Sequence, residues 1–255
     1  MYIVERWLSR MSRSPYAEDF ILKGGMLLAS FGTRRPTVDA DAPAQHGLRR
    51  VIRDDALYSG VRVTMTAQLA TAQVKLRLDI NFGDPVTPAP RTVELPSLRP
   101  DAPPIRILGY PVETVLAEKL VTAIELGRAN TRVRDFADIH LLAGTQALQC
   151  GELRDALTAT ATFRGTTLIP LAQATEGLAV LRGSTYVAYR KGLGEVGASL
   201  PERFSDTVAA VADFVDPVLD GLDAKAVWRP AERNWSAVPV TSSEPTESAT
   251  GRTDL

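Results

Sequence analysis

Asp39 and Asp41 stand two residues apart in the segment Arg34-Arg-Pro-Thr-Val-Asp-Ala-Asp41. If Thr37–Asp41 is extended, the two-residue repeat of a strand puts both carboxylates on one face and turns Val38 and Ala40 to the other. Like charges that close raise each other's pKa, an unfavourable arrangement unless a divalent cation lies between them. Mg2+ suits such a pair, because it takes one or two carboxylates, keeps several waters and accepts phosphate oxygens from a substrate. Two solvated aspartates in a polar turn are the plain alternative. A third acid, Asp79, lies on the polar side of a strand whose other side is Val74, Leu76, Leu78, Ile80 and Phe82. It could take a proton from an attacking hydroxyl, help hold a metal, or pair with Arg77 or Lys75 on its own strand.

Three further constellations carry charge or anion-binding capacity. Phe20-Ile-Leu-Lys-Gly-Gly25 precedes the apolar run Met26–Phe31 and reads as a strand, a glycine turn and a helix start. Free N–H groups at such a start can hold a phosphate, although two adjacent glycines also make an ordinary tight turn. Lys119 falls on the same helical face as Val112, Val115, Leu116 and Ala123. An ammonium there needs an anion, since burying an unpaired charge is costly. A triphosphate, Asp135 or Asp138 would serve, or the side chain could snorkel to water. In Thr131-Arg-Val-Arg-Asp-Phe-Ala-Asp138, Thr131 can cap a helix that carries Asp135 and Asp138 on one face. Taken in isolation, this helix reads as a surface ladder of ion pairs with Arg132 and Arg134.

The elements that must position these residues follow from periodicity and punctuation. Val61–Met65 and Val74–Phe82 alternate as half-buried strands, and Thr92–Leu95 and Ile105–Leu108 are short β-like pieces inside a segment where eight of 28 residues, Asp84 to Pro111, are proline. Helical patterns occupy Pro111–Leu142 and Gly151–Leu222, and in the last of them Phe204, Val208, Val211, Val215 and Leu219 share a face. From Arg229 onward 11 of 27 residues are Ser, Thr or Pro, which predicts a disordered tail. The division expected is a mixed-sheet core over 1–110, a helical part over 111–228 that completes the site, and a tail over 229–255.

The composition of this 255-residue chain, 45% hydrophobic and 23% charged, is that of an ordinary globular protein. No apolar run is long enough for a membrane span and no signal pattern opens the chain, so a cytoplasmic location is expected. One cysteine, Cys150, and two histidines, His46 and His140, exclude a disulfide framework and a closed zinc site of Cys and His ligands. Any metal must be held by oxygen. The net charge is −1, yet residues 1–53 carry nine basic side chains against five acidic ones, a local excess suited to phosphate.

In this order, Lys23-Gly-Gly25, Arg35-Pro-Thr-Val-Asp-Ala-Asp41, Leu78-Asp-Ile-Asn-Phe-Gly-Asp84, Ala117-Glu-Lys-Leu120 and Arg134-Asp-Phe-Ala-Asp138 resemble the AbiEii family. These are toxin nucleotidyltransferases of the DNA polymerase β-like superfold, including the MenT group, and the similarity runs from about Glu5 to Leu142. The resemblance implies an α+β fold: a nucleotidyltransferase mixed β-sheet core, flanking helices and a helical C-terminal part. It implies a Mg2+-dependent transfer of a nucleoside monophosphate from an NTP, with pyrimidines favoured, to the tRNA 3′ acceptor end, blocking translation, and an antitoxin partner.

Carried over residue by residue, the resemblance makes Asp39 and Asp41 ligands of Mg2+ and the triphosphate, and places Lys23, Gly24 and Gly25 at the phosphates. Lys119 would contact the triphosphate, and Asp138, with Asp135, would form a late acidic motif. Asp79 falls where nucleotidyltransferases place a third acid, as base or metal ligand. Arg34, Arg35, Arg49, Arg50 and Arg53 are the expected RNA surface. Two other functions compete: nucleotidyl transfer to a protein or small molecule, and a catalytically inactive nucleic-acid-binding module.

Overall fold

A computed structural model describes residues 2–33, 39–43, 60–69, 71–81 and 85–236. The candidate RNA-surface arginines at 34, 35, 49, 50 and 53 lie outside these residues. The chain begins with helix α1 (Tyr2–Met11) and a 3-10 helix, Gly24–Phe31. Strands β1 (Asp39–Pro43), β2 (Gly60–Leu69), β3 (Ala72–Asn81), β4 (Arg91–Leu95) and β5 (Ile105–Gly109) follow. Helices α2 (Val112–Leu126), α3 (Val133–Ala143) and, after the two-residue strand β6 (Leu148–Gln149), α4 (Cys150–Arg164) come next. The rest comprises α5 (Leu171–Ala174), α6 (Leu178–Gly192), α7 (Glu195–Ala198), α8 (Phe204–Leu219) and the hairpin strands β7 (Val227–Arg229) and β8 (Asn234–Ser236).

The first sheet has the order β1-β3-β2, with β1 parallel and β2 antiparallel to β3, so it is mixed as the sequence predicts. Alternation along β3 decides its facing: Leu76 and Leu78 are buried while Lys75 and Arg77 are exposed. The two β-like pieces of the proline-rich segment pair with each other as β4 and β5, a separate antiparallel ribbon. The strand predicted before the glycine turn is reduced to isolated bridges at Phe20, Leu22 and Lys23; that of Leu22 to Gly109 is fixed by Leu22 N donating to Leu108 O at 2.7 Å and Tyr110 N to Leu22 O at 3.0 Å. Glycine at 109 lets Leu27 and Val93 pack closely, since an added Cβ would lie 2.8 Å from both side chains and force them to shift.

One hydrophobic cluster runs from Val4 and Leu8 through Leu27, Leu78, Leu116 and Phe136 to Phe214 and Trp228, continuous across the expected boundary at 110. Helix α2 lies within it, with Val112, Val115, Leu116 and Ala123 all buried, as their spacing predicts. Helix α8 buries Phe204, Val211 and Val215 of its predicted stripe.

Order continues past Arg229, contrary to the reading of a tail from that residue. Trp228 and Trp235 form a cross-strand pair on the β7–β8 hairpin, and both rings pack on Phe214 of α8. Each indole is satisfied, Trp228 Nε1 donating to Ala143 O at 2.7 Å and Trp235 Nε1 to Phe214 O at 2.8 Å. The burial of the Trp228 indole and the partial burial of Trp235 outweigh the polar composition around them. Among the described residues no helix is long and apolar enough to cross a membrane.

Candidate active site

The sheet register brings the separate acidic segments together. Asp39 is paired in register with Arg77 and Asp41 with Asp79 across β1 and β3, so three candidate acids occupy neighbouring positions on adjacent strands. On the other side of β3, Arg62 of β2 is opposite Asp79. Its guanidinium forks onto the carboxylate, Nε to Oδ1 and Nη2 to Oδ2, both at 2.6 Å. Neither Arg77 nor Lys75 is needed for this pairing. Residues directly opposite across antiparallel strands stand closer than i and i+2 on one strand, so the cross-strand arginine wins. The side chains of Asp39 and Asp41 lie outside the described atoms.

Strand β1 also packs against the 3-10 helix, which brings the glycine turn to the edge of the sheet. Gly24 has φ +74°, a conformation open to glycine and strained for other residues. Lys23, just before it, is extended. Its Nζ lies 2.9 Å from Glu118 Oε1 and 5.2 Å from the centre of the Tyr110 ring.

The third part of the site is held between two helices. Lys119 of α2 donates to Asp135 Oδ1 at 2.6 Å and Asp138 Oδ2 at 2.9 Å on α3, where side-chain exposures are only 16%, 9% and 2%. Asp135 and Asp138 therefore turn inward and do not form the surface ladder that the segment suggests in isolation. Arg132 does reach Asp135 Oδ2, at 3.7 Å, from an exposed position. Burial alone would lower the Lys119 pKa; the charges of Asp138 and Asp135 outweigh it and hold the ammonium above its ordinary value. Burial likewise opposes ionisation of Asp135, and Lys119, aided by Arg132 and Arg134, overcomes it and lowers that carboxyl's pKa. This settles what meets Lys119 in the chain itself: two carboxylates, not water. Thr131 does not cap α3; Asn130 Oδ1 accepts from Arg132 N at 2.7 Å instead.

Glu118 and Arg62 are the residues that sequence reasoning missed. Glu118 sat unremarked beside Lys119, and its buried link to Lys23 depends on the Leu22–Gly109 bridge. Arg62 had a legible signal, since it lies on the polar side of its own alternating strand.

All the candidate ligands are carboxylates, a donor set that fits a hard cation such as Mg2+ and not a soft one. The Arg62 fork holds the Asp79 carboxylate in one orientation on β3.

The sequence model of a family described as the AbiEii nucleotidyl transferase toxin of type IV toxin–antitoxin systems matches residues 42–212, about two thirds of the chain. Asp79, Lys119, Asp135 and Asp138 fall inside that span, and the glycine turn, Asp39 and Asp41 precede it. No curated protein matches. Among solved structures, JHP933 from Helicobacter pylori is 13% identical, with a TM-score of 0.51 over 86% of this chain and 93% of that one. MenT4, a nucleotidyltransferase toxin from Mycobacterium tuberculosis, is also 13% identical, with a TM-score of 0.48 over 86% and 89%. At such identity the likeness to JHP933 is one of fold. The family match over most of the chain carries the conclusion: the chain belongs to the AbiEii nucleotidyl transferase toxin family.

Proposed function

We propose that this toxin transfers a nucleoside monophosphate from a pyrimidine NTP to the 3′ acceptor end of tRNA and so blocks translation, and that an antitoxin protein restrains it. The observation that carries the nucleotidyl-transfer reading is the register of Asp41 beside Asp79, with Asp39 next along β1 and the glycine turn packed against that strand. In this reading the backbone at Gly24 and Gly25 and the ammonium of Lys23 receive the triphosphate. Asp39, Asp41 and Asp79 hold Mg2+, which when bound offsets charge on the attacking and leaving oxygens. The acceptor hydroxyl oxygen bonds to the α-phosphorus, the bond from that phosphorus to the bridging oxygen breaks, pyrophosphate leaves, and the hydroxyl proton passes to solvent. Asp135 and Asp138 keep Lys119 charged and fixed between α2 and α3, and a triphosphate would compete with those two carboxylates for its ammonium. The division at 110 belongs to the same reading, with the helical part running on through the β7–β8 hairpin packed on α8: the sheet brings the acids, and the helices bring Lys119 and its partners.

The test is incubation of the purified protein with each labelled NTP, Mg2+ and total RNA. Label on the tRNA 3′ end that requires Mg2+ supports the proposal. Label on protein, or on a small acceptor in place of RNA, favours the second reading, and transfer from no NTP leaves a binding module.

A further inference from the structure

We propose that Glu118 is a positioning residue for nucleotide binding, acting through Lys23 and not by touching the nucleotide. The inference rests on the reading of the glycine turn as a triphosphate site. Pairing of Leu22 with β5 carries the backbone of Lys23 alongside Tyr110 and Pro111, at the entrance of α2. From there the Lys23 side chain crosses the buried Tyr110 ring and ends on Glu118, well inside α2. The pair is largely withdrawn from water, with side-chain exposures of 12% for Lys23 and 18% for Glu118. A desolvated ion pair is directional, because neither charge is easily moved once water is gone. Glu118 is itself anchored. Arg164 of α4 donates to its backbone carbonyl at 3.4 Å and to Thr122 Oγ1 at 2.8 Å, and Thr122 Oγ1 donates to the same carbonyl at 2.7 Å.

Adjacent residues of α2 thus hold opposite charges for two parts of the site. Glu118 fixes a cation at the foot of the glycine turn, and Lys119 fixes two anions on α3. Lys23 Nζ donates to Glu118, and the residue after it, Gly24, opens the turn whose amides would meet phosphate. Without the carboxylate, the ammonium loses the 2.9 Å contact that holds it at that height over Tyr110. The cost then falls on charge directed at the outer phosphates.

The experiment measures binding of UTP, UDP and UMP, with Mg2+, to the full chain and to Glu118→Gln, Glu118→Asp and the charge reversal Lys23→Glu/Glu118→Lys. Steady-state transfer and thermal unfolding are measured alongside. Glu118→Gln is expected to raise the Kd of UTP about tenfold, with a smaller rise for UDP and a change under about twofold for UMP. The loss should appear in KM, because a merely unfolded fraction lowers kcat and leaves KM alone. Glu118→Asp, which keeps the charge on a shorter arm, should fall between. The charge reversal should recover thermal stability without recovering UTP affinity. A UTP Kd for Glu118→Gln within about twofold of the parent, an equal loss for all three nucleotides, or recovery of affinity on charge reversal each overturns the proposal. Should Glu118→Gln fail to fold, Glu118→Asp carries the same test: its Kd must rise for UTP more than for UMP. A parent protein that binds no NTP overturns the triphosphate reading, and this inference with it, whereas a parent that binds while the variants do not differ from it overturns this inference alone.

Discussion

Lys119 Nζ lies 2.6 Å from Asp135 Oδ1, across the contact between α2 and α3, with Asp138 completing the group at 2.9 Å. The three charges are nearly dry, so each depends on the others. Lys119→Met, which matches length and helix propensity, removes the cation and leaves two buried carboxylates facing each other. Breaking such a group should cost ~3–5 kcal/mol in denaturant unfolding. Lys119→Met combined with Asp138→Asn should regain much of that stability and none of the transfer activity. Equal stability of Lys119→Met and the parent would remove the buried triad from the account.

The same triad sets a pH window. Asp135 has a folded pKa below its unfolded value near 3.8, so its stabilisation is present above that pH and lost as pH falls through the lower folded value. Lys119 has a folded pKa above 10.5, so its stabilisation is present below that pH and lost only as pH rises past the higher folded value. Neither transition falls between pH 5 and 9, where Lys119 and Asp135 should contribute a constant amount. A steep change over that range in the difference between the parent and a variant lacking all three charges, Lys119→Met/Asp135→Asn/Asp138→Asn, would contradict this.

His140 acts inside that range. At the last turn of α3, burial first and the neighbouring Arg233 second lower its pKa from 6.5 to about 4. The folded protein therefore binds fewer protons than the unfolded one between those values, and stability must fall as pH drops from 6.5 towards 4. The shift corresponds to ~3 kcal/mol. Two carboxyls whose pKa is raised by burial, fully buried Glu113 and half-buried Asp216, act with the opposite sign. The measurement is thus a difference: His140→Gln should show a shallower loss than the parent in urea unfolding at pH 7 and pH 4.5. Parallel losses in the two proteins would show that His140 titrates normally.

How much of this was legible in the sequence depends on the range of the interaction. The stripe of α2 and the alternation of β3 are local repeats, and they place Lys119 on the buried face and Asp79 on the polar one. The pairing of Asp41 with Asp79 is a register between parallel strands far apart in sequence, which no local repeat encodes. Asp135 and Asp138, offered by the sequence as partners of Lys119, still suggest a surface ladder when their segment is read alone, for a related reason: acids three apart between arginines look alike whether they face water or a buried lysine. The β7–β8 hairpin hid behind its polar composition, though two tryptophans separated by Arg-Pro-Ala-Glu-Arg-Asn were a readable sign.

Asp39→Ala and Asp41→Ala each test the cation site. Removing one of two like charges near a third relieves repulsion, so thermal stability should hold or rise while transfer is abolished. Asp79→Ala should abolish transfer as well, yet it strands the Arg62 fork. That pair is partly exposed, at 37% and 24%, so its loss should cost at most ~1 kcal/mol. Retained transfer in either purified β1 variant would remove those aspartates from the site.

The acceptor is decided by charge. The excess of basic residues over acidic ones before residue 54 is the sequence feature that favours RNA, and Arg49, Arg50 and Arg53 lie farthest along it from the glycine turn. Cations that neutralise phosphates release condensed counterions, so affinity for an RNA acceptor should fall steeply with salt, whereas affinity for a small neutral acceptor should not. Arg34 and Arg35 adjoin the acidic strand and could meet the triphosphate, so changing them would confuse two effects. Replacing the three later arginines with Gln should raise KM for tRNA, flatten its salt dependence and leave KM for NTP nearly unchanged. The unchanged NTP term is the internal control, because a folding defect would not spare it selectively. Transfer to tRNA that ignores both salt and this triple change would place the RNA surface elsewhere. Salt-independent transfer to a protein or small molecule would replace tRNA as the acceptor.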